Sequence, residues 1–377
     1  MIFDSILRSD ASPKLHAETE FSFLNRSAGE EMHLARSRLE ALIATYPDPD
    51  DLVRRFRSGD DTHFRSAEFE LLLFALLSKR GFKLTPHPAL PERTSRPDFL
   101  VESPSGDTFF LEAVLAKKDQ GVLRQHPLVA TTLDVLSSNS HPNFLVMVST
   151  SGRPTTQPSR NTLLRKTVAW LDSLDPDAVL EAMEAGGHDA LPSLDWTHEK
   201  LTISLQAFPQ SKGSRGQSTR LLAGQMGGAG WVDSWSPIRD AIRFKGSKYG
   251  TFDRPFVVAV NFGGYFLGRI DEMQALFGQE QVTVSITDRD APARMSRARN
   301  GAWIGKSGPQ SKRVSAAWLF DGLDAYNLKS RKPTLYLHPW ADHPVPRDLL
   351  QFPHAIGQDG NMSWYEGTPP GLLFQDL

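Results

Sequence analysis

The chain contains no cysteine. That excludes disulfides, thiolate zinc sites and cysteine nucleophiles, and it fits a reducing compartment such as the cytoplasm. It also lacks any run of about 18 uninterrupted apolar residues, so no membrane span and no membrane partner are expected. Residues 1–13 mix acids and bases without an apolar stretch of secretory-leader length. No Gly-x-Ser-x-Gly elbow is present, so a serine hydrolase has no support. There is no surplus of one charge either: the formal net charge is −2. Near-neutrality does not announce a nucleic-acid binder, but it leaves room for basic residues gathered on one face of an acidic site.

What is there is an ordinary globular composition, 40% hydrophobic and 23% charged across 377 residues, enough to bury a core without staples. Residues 30–46 read as an amphipathic helix with Met32, Leu39, Leu42 and Ile43 as its stripe. Residues 63–80 form a helix that is apolar on almost every face, closed by Gly81, and so belong against a sheet. Strands follow at 82–86, 97–102 and 108–116, the last two joined by a turn at 103–107 as a hairpin. A helix at 121–138 precedes an unbroken apolar strand at 143–149, expected to be covered on both faces. A helix at 161–174 and an alternating strand at 201–208 come next. This order of elements marks an α/β or α+β sandwich. Residues 210–230 read as a loop and 236–249 as a basic helix. Strands are expected at 255–262, 281–287, 314–320 and 334–338, with a short helix at 270–277. The strands of this C-terminal half are expected to join or pack on the same sheet.

Three acidic residues stand out: Glu70 in the apolar helix, Asp98 after Pro97 at a strand start, and Glu112 among Phe, Leu, Ala and Val. A hairpin can bring Asp98 and Glu112 to one point, and a helix packed on the sheet can add Glu70. Phosphodiester hydrolysis needs charge neutralised on the phosphoryl oxygens, and a divalent ion held by oxygen ligands does this. Buried together without a cation, the three carboxylates would repel and shift their pKa values upward. Each residue also has a plain structural reading. Asp98 can cap a turn, Glu112 can pair with Arg96 or Arg93, and Glu70 can be an ordinary helical glutamate.

The run from Phe69-Glu70 through Gly81-Phe82, then Pro97-Asp98, then Glu112, resembles the PD-(D/E)xK nuclease superfamily with an Mrr-like opening helix. The resemblance spans roughly residues 60–210. It implies a restriction-endonuclease-like mixed sheet flanked by helices over 61–210. An N-terminal helical extension at 1–60 and an α/β extension at 211–377 would flank it. It further implies Mg²⁺ or Mn²⁺ held by Asp98, Glu112 and the Ala113 carbonyl, with Glu70 in support and DNA as substrate, in a bacterial defence setting. The family's lysine two places after the glutamate is Val114 here. Lys118 shares the strand parity of Glu112 but lies about 20 Å along a straight strand, so it serves only if the chain curls; Lys117 and Gln120 are similar substitutes. The loss of that lysine leaves open a non-catalytic module that binds nucleic acid or a protein through its C-terminal half, or a homodimer.

Two basic runs suit backbone phosphates: Lys212, Arg215 and Arg220, continuing to Arg239, Arg243, Lys245 and Lys248, then Arg294, Arg297 and Arg299 with Lys306, Lys312 and Arg313. Trp231, Trp235 and Trp303 lie in or beside them, and a solvated loop is the plain alternative. Gly301 to Ser307 falls one residue short of P-loop spacing. His338 and His343 flank a Pro-Trp-Ala-Asp turn in which Pro339 forbids helical metal-ligand spacing.

Overall fold

The structure, a computed structural model, describes residues 1–90, 95–116, 126–218, 220–225, 233–263, 267–283, 294–358 and 361–374. Four helices open the chain: α1 (Glu20–Arg26), α2 (Glu30–Ile43), α3 (Asp50–Phe56) and α4 (Asp61–Ser78). Strands β1 (Lys83–Pro86), β2 (Phe99–Glu102) and β3 (Thr108–Ala116) follow. Next come α5 (Pro127–Ser137), β4 (Phe144–Ser151), α6 (Arg160–Asp172), α7 (Pro176–Gly186), β5 (Ser193–His198), β6 (Leu201–Pro209) and β7 (Leu222–Gln225). The remainder holds α8 (Trp235–Lys248), β8 (Phe256–Phe262), α9 (Arg269–Phe277), a ribbon of β9 (Glu280–Thr283) with β10 (Arg294–Arg297), and the short pair β11 (Ile304–Gly305) and β12 (Gly308–Pro309). It ends with β13 (Ala316–Asp321), β14 (Thr334–Leu337), β15 (His354–Gln358) and β16 (Asn361–Tyr365). The architecture is mixed α/β, a large mixed sheet flanked by helices in the manner of an α+β sandwich.

The chain folds as two compact units. One comprises Met1–Ser12, Thr19–Asp119 and Asp233–Leu377; the other comprises Pro13–Glu18 and Gln120–Val232. These units cut across the three consecutive segments expected from the sequence. The N-terminal helices and most of the C-terminal part belong with the β2–β3 hairpin, whereas much of the expected 61–210 core does not. The reason is the neighbour that β3 takes. Its free edge pairs in parallel with β8, from Phe110 opposite Phe256 to Ala116 opposite Phe262. It takes nothing from β4.

The large sheet runs β1-β2-β3-β8-β13-β14-β15-β16. Its centre, β8, reads Phe-Val-Val-Ala-Val-Asn-Phe and is buried at every residue, as a parallel strand covered on both faces must be. Asn261 is tolerated there because its amide makes two hydrogen bonds of 2.8 Å with the backbone of Leu323. Alternate residues of β3 face opposite layers. Phe109 and Leu111 pack with Phe69, Leu72, Trp318 and Phe320 on the side of the N-terminal helices. Phe110 and Ala116 pack with Ile238, Ile242, Leu276 and Trp303 on the side of α8 and α9. Glu112 shares the second parity. Helix α4 is buried along most of its length, and Asp60 caps its start by accepting from the Thr62 and His63 amides.

The second unit has its own four-stranded sheet, β5-β6-β4-β7, and its own core, built on Leu133, Phe144, Val146, Leu163, Ile203 and Leu205. Here β6 alternates buried and half-buried residues as its sequence suggests. The apolar strand β4 alternates too, so the expectation that both its faces are covered is corrected: Leu145 and Met147 stay half-exposed. The segment expected as a loop at 210–230 contains a strand, β7, paired in parallel with β4. The helix expected at 121–138 is α5; its first residues lie outside the described ones. At the core of the first unit, Phe69 is 1% exposed and meets Phe320 edge-on at 5.2 Å. Phe69→Ala should therefore cost about 3–5 kcal/mol in chemical denaturation. Leu34→Ala, on the exposed side of α2, should change stability by less than about 0.5 kcal/mol. Equal effects would contradict this packing.

Candidate functional site

The hairpin register brings the first two acids together. Phe99 pairs with Leu111, and continuing the ladder by one residue sets Asp98 opposite Glu112. Two backbone contacts fix Asp98. Its carbonyl accepts from the His87 amide at 2.8 Å, extending the β1–β2 pairing, and its Oδ2 accepts from the Ala113 amide at 2.7 Å. As a whole residue it is half-buried.

Glu112 is 1% exposed and closed in by β2 and β8 on either side. Helix α8 supplies its partners. Lys245 Nζ donates to Oε1 at 2.5 Å, and Lys248 Nζ stands 3.8 Å from the same oxygen. The Tyr249 hydroxyl lies 2.7 Å from Oε2 and 2.9 Å from the Arg96 carbonyl, and it receives a hydrogen bond from Lys248 at 2.8 Å. One phenolic proton serves one of those two acceptors at a time. Residues 245, 248 and 249 stand three and four apart, so one side of the helix presents all three. Arg96 thus contributes its carbonyl, and the expected Glu112–Arg96 ion pair is not formed; Arg93 lies outside the described residues.

Glu70, 2% exposed on α4, receives the Tyr46 hydroxyl on Oε1 at 2.9 Å and Arg55 Nη2 on Oε2 at 2.5 Å. His87 Nε2 is 3.5 Å from Oε1, and Arg55 Nε also lies 2.9 Å from Asp51. Two of the three acids therefore hold a cation of their own, and Asp98 holds none among the described residues. Burial, then the negative charges of Glu112 and Glu70, push the Asp98 carboxyl well above the usual carboxylate range; the Ala113 amide and Lys245 pull it back only in part. Both tyrosines are pushed up as well, by burial and by the carboxylate each one touches.

The three acids are thus close enough to feel one another. Among the described residues, however, no three His, Asp or Glu side chains gather tightly enough to chelate an ion by themselves. A cation here would be held by Asp98 and Glu112 with backbone oxygen, and the fit rests on Asp98, a shielded carboxyl between two others with no cation at ion-pair distance among the described residues. Val114 is apolar and packs toward the α8 side. Lys117, Lys118 and Gln120 lie outside the described residues.

The basic runs divide between the units. In the second unit Arg215 and Lys212 stand 2.6 and 3.7 Å from Asp177, while Arg220 is exposed. In the first, Arg297 pairs with Glu280 at 2.7 Å and Arg299 donates to the Lys306 carbonyl at 3.0 Å; Arg294 is exposed on β10. Arg215 and Arg297 are thus already neutralised. Trp303 is fully buried and offers no phosphate surface; Trp231 lies outside the described residues. Residues 304–309 form the β11–β12 turn, not a phosphate loop. His338 is pushed down to about 4 by burial, with Nε2 2.9 Å from the Gln310 carbonyl, a packed neutral histidine.

Nothing in the sequence marks Tyr46, Arg55, His87 or Tyr249 as belonging to the site, and Lys245 and Lys248 stand there only as part of a basic run. Their faint signal was the 245-248-249 spacing on a basic helix. No family model, curated protein or solved structure matches the chain.

A carboxyl whose folded pKa is raised contributes stability below its unfolded value and loses it as pH rises through the folded value. Asp98→Asn should therefore raise the denaturation midpoint of the metal-free protein. The gain should be larger at about pH 8 than at about pH 4. A pH-independent loss of stability would rule out the crowded carboxyl.

Proposed function

We propose that the chain is a metal-dependent endonuclease of the PD-(D/E)xK kind, hydrolysing phosphodiester bonds in DNA. The observation that carries the reading is Lys245, whose ammonium reaches Glu112 at 2.5 Å. The family pattern asks for a lysine beside this glutamate, and the strand offers Val114; α8 delivers an equivalent charge from across the layer. The helix-β-β-β-helix-β order in the unit around the site, α4, β1, β2, β3, α8 and β8, supports the same reading.

Asp98, Glu112 and the Ala113 carbonyl are the groups that would hold Mg²⁺ or Mn²⁺, which when bound stabilises charge on the phosphoryl oxygens and acidifies water. Tyr249 holds one oxygen of Glu112 and Lys245 the other, so the carboxylate is oriented before any substrate arrives. Lys245 keeps a positive charge where the phosphate's negative charge must be accommodated. Tyr46 and Arg55 fix Glu70, whose charge helps hold the Asp98 carboxyl above the usual carboxylate range. Arg294, exposed on a two-stranded ribbon, suits a contact with duplex DNA, since such a ribbon fits the major groove. A role in bacterial defence within the cytoplasm follows from family analogy alone.

A second reading, a nuclease fold that binds without cutting, is favoured by one observation: Glu70 and Glu112 already carry their own cations. Plasmid incubated with Mg²⁺, with Mn²⁺ and with EDTA separates the two. The enzyme nicks only with metal. Glu112→Ala abolishes nicking, and Lys245→Met lowers it about 10²–10³-fold while circular dichroism stays unchanged. Salt-sensitive binding without nicking selects the module, and full activity in Glu112→Ala removes the site assignment.

A further inference from the structure

A polar cleft of about 430 Å³ lies in the first unit, where β13 ends, α9 begins, and β14 and β15 start. That volume falls in the range of small-ligand sites, and the carboxyl ends of parallel strands are where open sheets bind ligands. It shares no residue with the acidic centre. Three cations line it, Arg269, Arg331 and Lys332, beside the carboxylates of Glu272, Asp321 and Glu366. Among the described residues, neither Arg269 nor Lys332 has a carboxylate at ion-pair distance, and the guanidinium of Arg269 lies 5.0 Å over the Trp364 ring. Arg331 pairs with Asp321 at 2.8 Å, yet its Nε is buried without an acceptor among the described residues.

Aromatic rings line the same cleft. Trp364 and Tyr365, on the edge strand β16, are 38% and 49% exposed, large areas for such rings. Tyr365 is already stacked on His354 at 4.8 Å and 11°, which sets its plane. The third element is Glu272, 8% exposed in the first turn of α9. The Tyr336 hydroxyl donates to its Oε2 at 2.7 Å, and burial pushes its carboxyl up to about 7. Keeping a carboxyl buried without an ion pair is costly unless it has a use.

We propose that this cleft binds a nucleoside 5′-phosphate: Arg269, Arg331 and Lys332 take the phosphate, Trp364 takes the base face, and Glu272 meets the N–H edge of the base. Cationic side chains recognise phosphate, a flat exposed ring recognises any base, and a carboxyl supplies the hydrogen bonding that orients it. A free mononucleotide and the 5′ end of a strand present the same chemistry.

Calorimetry on the full chain in EDTA tests the assignment, with AMP, GMP, CMP, UMP and inorganic phosphate as probes. A short oligonucleotide with and without its 5′-phosphate distinguishes a strand end from a free nucleotide. At least one mononucleotide or the 5′-phosphorylated strand should bind with Kd at or below the order of 1 mM, and inorganic phosphate about tenfold more weakly. Trp364→Leu and Arg269→Gln should each weaken binding about tenfold, while Asp98→Asn leaves it unchanged. The proposal is overturned if no probe binds, if phosphate binds as tightly as the nucleotides, or if Asp98→Asn abolishes binding while Trp364→Leu does not. None of these results bears on metal-dependent nicking, so the two readings fail separately.

Discussion

Glu112 sits at the middle of a strand that has neighbours on both edges and layers on both faces. Its backbone pairs with Val258 of β8, and its carboxylate points into the α8 layer, where Lys245 and Tyr249 meet it. A charge so placed must find partners from the element that covers it, because an isolated buried carboxylate is among the costliest groups a fold can hold. The remainder of the site follows from this demand. Helix α8 brings two lysines and a tyrosine to the glutamate, and the hairpin register fixes Asp98 opposite.

The parallel pairing of β3 with β8 makes this possible. A parallel partner requires a crossover, and the crossover must carry a helix back over the sheet. Helix α8 is that covering element. The chain between β3 and α8 is much longer than a crossover needs, and the surplus folds as the second unit with its own sheet and core. A large insertion is tolerated at such a place because the entropy of closing a longer loop rises only slowly with length.

Electrostatically the first unit treats its acids unequally. Glu70 and Glu112 are matched by Arg55 and Lys245, each with a tyrosine hydroxyl on the other oxygen. Asp98 has a backbone amide and two negative neighbours, with no cation at ion-pair distance among the described residues. Folds commonly give up stability where a function needs a poised group, and that asymmetry is what gives the centre its chemical interest. Glu272 is treated in a similar way in the cleft beyond β13, with a tyrosine hydroxyl and no cation at contact distance among the described residues.

The local elements were legible because each carries its own signal. The apolar surface of α4 with Gly81 behind it, the turn between β2 and β3, and the unbroken apolar run of β8 each announce themselves within a short window. So did the three acids, since carboxylates are conspicuous among apolar neighbours. Pairing partners were not legible. Strands β4 and β8 are both short apolar runs following a helix, and nothing in either says which one completes the edge of β3; that choice is made by the layers packing together. The sequence likewise could not connect Glu112 to Lys245, which stand 133 residues apart. A buried charge demands a partner, and sequence can state the demand. Only the folded chain, by bringing a distant helix over the strand, decides which residue meets it.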